Sequence, residues 1–76
     1  MKQSKPKFME KYPMYQVGSE VTNPFSGQSY KLNELELSIY AMILNNERLG
    51  RNIPDMRKGL TWFRKNNVDA YYVLLD

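Results

Sequence analysis

The sequence predicts an α+β fold, an N-terminal two-stranded β-hairpin packed on two or three short α-helices, and three observations carry that prediction. Alternating apolar residues flank a Pro/Gly turn between Tyr15 and Leu32, a helix-start signature stands at Asn33, and Pro54 opens a second amphipathic stretch. A chain of 76 residues has room for one domain, and so small a domain buries only a modest core. We divide it into a basic flexible arm, 1–13, and a single small α+β domain, 14–76.

The arm mixes lysines with Pro6 and Pro13 and shows no sustained period. It is either free or pinned at Phe8 and Met9. The hairpin reading places Tyr15, Val17 and Val21 in one strand and Tyr30 and Leu32 in the other, around Asn23-Pro24-Phe25-Ser26-Gly27. Pro24 presets φ for a turn, the Asn23 side chain can bond forward to the backbone, and Gly27 can take positive φ.

The first helix is read from Glu34 to Asn46, with Asn33 as N-cap and Glu36 reaching back as in a capping box. Leu32 and Leu37 stand where a hydrophobic staple places them. At about 100° per residue its apolar side chains fall in two stripes, Leu35, Ile39, Met42 and Ile43 in one and Leu37, Tyr40 and Leu44 in the other. Glu34, Ser38, Ala41 and Asn45 mark the expected solvent face. So broad an apolar arc implies packing on two sides, the second cover being another helix or a second copy of the chain.

Arg48 to Asn52, with Gly50 inside, reads as a loop, and the second helix spans Pro54 to Lys65 with Met56, Leu60 and Phe63 as its core stripe. Gly59 weakens that helix by about 1 kcal/mol relative to Ala unless close packing needs the missing side chain. Asn66-Asn67 breaks it. The tail from Val68 to Asp76 suits either a strand, through Tyr71, Tyr72 and Val73, or a short helix capped by Asn67 with Ala70, Val73 and Leu74 on one side; we prefer the helix.

Function classes narrow by residue type. The chain has neither cysteine nor histidine, which removes disulfides, thiolate metal sites and the commonest general base. The carboxylates lack the spacing of a catalytic pair or an oxygen-ligand metal site, Ser26 has no nucleophile-elbow context, and the glycines form no phosphate loop. We therefore expect no enzyme activity, no cofactor and no metal. No apolar run approaches the roughly 20 residues of a membrane span, and no apolar stretch follows the first lysines as in a signal peptide. A disulfide-free chain of this size fits the cytoplasm or a particle component.

The net charge of +3 resides in the first eleven residues, where Lys2, Lys5, Lys7 and Lys11 face only Glu10. A basic face on the second helix, Arg57, Lys58, Arg64 and Lys65, with Lys5 and Lys7 of the arm, offers phosphate-binding groups for a nucleic-acid-binding alternative. The helix connection is longer than that of a standard helix-turn-helix. Trp62 lies off the core stripe, where the arm or the Tyr71-Tyr72 segment covers it or where it anchors a partner. The expected protein interface is Trp62, Tyr71 and Tyr72, joined by Leu37, Tyr40 and Leu44 in a homodimer.

Two blocks carry a resemblance: Asn23-Pro24-Phe25-Ser26-Gly27 with the following strand, capped helix and Tyr40, and then Met56-Arg57-Lys58-Gly59-Leu60-Thr61-Trp62-Phe63 with the terminal Tyr72-Val73-Leu74-Leu75-Asp76. Their order resembles short uncharacterised proteins encoded by tailed, marine-type bacteriophages, over residues 21–76. The resemblance implies a phage setting, in host cytoplasm or virion, and no activity. The sequence thus leads us to expect a non-enzymatic, self-associating protein-interaction module, a phage accessory or minor structural protein, with nucleic-acid binding as the alternative.

Overall fold

The computed structural model describes residues 3–75; Lys2 of the arm and Asp76 of the terminal segment lie outside the described residues. The chain forms a two-stranded antiparallel hairpin, β1 (Ser19–Thr22) and β2 (Ser29–Leu32), followed by α1 (Glu34–Leu49), α2 (Ile53–Asn66) and a short α3 (Val68–Ala70). α3 continues into a π-helical turn, Tyr71–Leu75, and a single 3-10 turn, Lys7–Met9, precedes the hairpin. The small α+β architecture is the one expected from the sequence.

The hairpin register pairs Ser19 with Leu32 and Thr22 with Ser29. Its turn closes as the residue types require: the Asn23 side-chain oxygen accepts from the Phe25 N–H at 2.8 Å, and Gly27 sits at φ +77°. The other end of Asn23 donates to the Val73 carbonyl at 2.9 Å, which ties the turn to the tail. Tyr15 and Val17, expected in the first strand, lie outside it and are exposed. The reason is a competing bond and a close approach. The Tyr15 N–H donates to Ser38 Oγ, and a Cβ at Gly18 would collide with the Leu32 carbonyl oxygen where the chain crosses the end of β2.

The capping box at Asn33 and Glu36 forms with both bonds in place, at 2.8 and 2.9 Å. α1 runs on to Leu49 instead of ending at Asn46, because Gly50 adopts φ +65° and returns its N–H to the carbonyls of Asn46 and Glu47. Ser38, expected on the solvent face, is buried, its hydroxyl donating to the Glu34 carbonyl and accepting from Tyr15. Tyr40, expected in an outer stripe, is only 9% exposed and belongs to the core. Burial pushes its phenol pKa up.

α1 and α2 make the most extensive contact in the molecule, around Ile39, Met42, Ile43, Trp62 and Phe63. Gly59 permits it, since a Cβ there would stand 2.7 Å from Ile43 Cγ1. Phe63 is fully buried, while Met56 and Leu60 of the same expected stripe are half-buried. The tail is helical: Asn67 accepts from the Ala70 N–H, and Ala70 and Leu74 are buried. Within the arm, Met9 is fully buried in the core and Phe8 and Tyr12 pack against it, so the arm is pinned there. No helix among the described residues is long and apolar enough to cross a membrane.

Candidate functional site

Docking of the arm creates a concave feature along α1. Residues 12–15 lie along α1 and are held at both ends by polar contacts that α1 and α2 supply. At one end the Tyr15 N–H donates to Ser38 Oγ at 2.8 Å. At the other the Tyr12 hydroxyl donates to Asp55 Oδ2 at 2.8 Å and accepts from Asn46 Nδ2 at 3.1 Å, while Lys11 Nζ stands 2.8 Å from the same Asp55 oxygen. The Lys11 ammonium, followed by the Tyr12 phenol, holds the Asp55 carboxyl below its ordinary value of 3.8, and Asp55 in turn raises the Lys11 pKa above 10.5.

Between the docked segment and α1 remains a cleft of about 540 Å³. Its apolar lining includes Met14, Tyr15, Ala41 and Leu49, and its only charged lining residues are Arg48 and Arg51. Tyr15 is 50% exposed and Leu49 is 55% exposed, so the apolar walls are open to solvent. Ala41 stands between Ser38 and Asn45 on the helix, and these small or short side chains let the backbone of residues 12–15 come close. A small-polar strip at Ser38, Ala41 and Asn45 was the one sequence signal for this site. It reads equally well as a solvent face, and no sequence pattern marks Met14, Arg48, Leu49 or Arg51 as its neighbours.

A second, shallower cleft of about 390 Å³ lies on α2, lined by Phe8, Arg57, Lys58, Thr61, Trp62 and Lys65. Three of the four expected basic residues of α2 therefore converge beside the arm's Phe8. Arg64 does not join them; its guanidinium lies 5.5 Å from the Tyr71 ring. Lys5 and Lys7 are exposed and line neither cleft.

The expected protein-interface residues are distributed differently. Trp62 is 8% exposed and packs edge-on against Phe63 with ring centroids 5.2 Å apart. Tyr72 is 63% exposed, Tyr71 half-buried, Leu44 exposed and Leu37 half-buried; none of these four lines either cleft. Among the described residues no group of three or more acidic side chains is placed to hold a metal ion. No family model matches the chain, and neither a curated protein nor a solved structure matches it.

Proposed function

We propose that this chain is a non-enzymatic protein-interaction module that receives its partner in the cleft between residues 12–15 and α1. The observation that carries the reading is an open apolar cleft whose polar lining consists of Tyr, Ser, Asn and Arg, with no carboxylate, histidine or cysteine to perform acid–base or nucleophilic chemistry. Exposed Tyr15 and Leu49 supply contact area, and Arg48 and Arg51 supply charge-assisted hydrogen bonds at the rim. The partner so received is a protein, a second copy of the chain included, and the phage setting that the sequence resemblance implies adds host proteins and particle components to the candidates.

The test is selection of a random-peptide library on the immobilised full chain, counter-screened on Ala41→Glu, which fills the cleft from a half-buried helical position. Peptides that bind the native chain and lose the variant support the reading. Failure to enrich any peptide that distinguishes the two chains overturns it.

A second reading is favoured by the α2 cleft, where Arg57, Lys58 and Lys65 surround Phe8 and Trp62 without an acidic residue in the lining. It makes the chain a binder of single-stranded nucleic acid. Binding of an oligothymidylate would then fall steeply with salt and disappear in Arg57→Glu with Lys58→Glu. Salt-insensitive binding, or binding retained by that double variant, sinks it.

A further inference from the structure

We infer that the occupant of the α1 cleft is a second copy of this chain, which enters it with the exposed face of its C-terminal helical segment. The inference rests on the interaction reading above and commits it to a partner. It comes from matching the open cleft against the apolar side chains that the fold leaves exposed. Phe25 projects from the hairpin turn, but Asn23 to Gln28 contains no acid to meet the two rim arginines. The tail offers what the cleft lacks. Val68 and Tyr72 stand four residues apart and therefore share one helical face, both are exposed, and the exposed Asp69 adjoins Val68.

The two surfaces complement each other in apolarity and in charge. The cleft presents Met14, Tyr15 and Leu49 with Arg48 and Arg51; the tail presents Val68 and Tyr72 with Asp69. Among the described residues neither set has its charge met within its own chain. Among the described residues the ion pair formed is Lys11 with Asp55, so Arg48, Arg51 and Asp69 have no ionic partner there. Arg48 spends one bond on Asn45 Oδ1, at 3.3 Å. The tail itself packs on β2 and α2, while the cleft is built from residues 12–15, α1 and Arg51, so the contact joins different surfaces of the two copies. The chain's net charge of +3 opposes association in general, which makes the Asp69-to-arginine pairing the element that sets its register.

Mass is measured by light scattering over a concentration series for the full chain and for two variants, one altered in the cleft (Arg48→Glu with Arg51→Glu) and one in the tail (Asp69→Lys with Tyr72→Ala). All four positions are exposed, and circular dichroism confirms that each variant folds. The native chain is expected to associate, each variant alone to associate at least about tenfold more weakly, and an equimolar mixture to recover association as a one-to-one complex. That recovery is specific to a contact joining one copy's cleft to another's tail. A native chain that stays monomeric, a variant that associates like the native chain, or a mixture that fails to recover overturns the inference. Monomeric behaviour with cleft-specific peptides in the library selection would leave the interaction reading standing and remove only the second copy.

Discussion

The phenol of Tyr12 donates to Asp55 Oδ2 across 43 positions of sequence, and with this bond the N-terminal segment is fastened to the first turn of α2. Asp55 also offsets the positive end of the α2 dipole, so one carboxylate serves the helix and the arm together. Asn46 donates to the same phenol from α1, which makes Tyr12 the junction of three segments. The cleft exists because this junction fixes one end of residues 12–15 and Ser38 fixes the other.

Tyr12→Phe removes the shared hydroxyl and leaves the buried Asn46 amide without its acceptor. The expected loss is about 1–3 kcal/mol of unfolding free energy, since two hydrogen bonds disappear and, while Asp55 keeps Lys11, the Asn46 amide is left unpaired. Urea denaturation followed by circular dichroism measures it. A loss below the error of the extrapolation would show that the junction holds nothing.

The pair at Asp55 makes stability depend on pH. Its folded pKa lies below the ordinary 3.8, so its contribution is fully present above that value and is lost as pH falls through the lower folded value. Lys11, raised above 10.5, gives the same pair's contribution below that value and loses it as pH rises through the higher folded value. Melting temperatures of the native chain and Asp55→Asn should therefore differ at neutral pH and converge on acidification below the ordinary carboxylate range. Added salt should narrow the neutral-pH difference, because Lys11 is exposed. A difference that persists unchanged into strong acid would assign the effect to something other than ionised Asp55.

The local parts of the fold were legible because their signals are local. Asn33 and Glu36 form a capping box from their spacing alone, and Asn23 with Gly27 closes the turn by its own side chain and φ. Tyr15 and Ser38 were not legible. Tyr15 alternates as a strand residue should, yet a hydroxyl 23 positions away takes its N–H, and the same bond buries a serine that its helical position marks for solvent. The α1 cleft inherits that difficulty, since its walls meet only after the arm has docked. On α2, spacing groups Arg57, Lys58 and Lys65, which do share a cleft, but it also groups Arg64, which turns to the Tyr71 ring, and it gives no sign of the arm's Phe8 beside them.

Gly59→Ala sets two effects against each other. Ala improves helix propensity by about 1 kcal/mol, but its Cβ would lie 2.7 and 2.9 Å from Ile43 and 3.0 Å from the Met42 terminal methyl. Ile43 is fully buried and branched close to its backbone, so it cannot swing aside as the end of Met42 can. Overpacking of about 1–3 kcal/mol is therefore expected to win. The measurement is the urea midpoint, which should fall; a rise would mean that α1 and α2 separate slightly at no cost.

Trp62→Ala tests whether the tryptophan acts within its own chain or between chains. At 8% exposed it offers a partner little surface, while its ring packs against Phe63 in the contact between the two main helices. Truncating a buried aromatic to Ala costs about 3–5 kcal/mol, and a domain this small holds little more than that in total. The expected outcome is a largely unfolded chain at 25 °C, read by circular dichroism. Trp62→Phe, which keeps most of the apolar volume, should remain folded and, if the cleft-to-tail contact holds, associate like the native chain. A folded Trp62→Ala variant that had lost association would instead place the tryptophan in the interface itself and move the contact from the α1 cleft to α2.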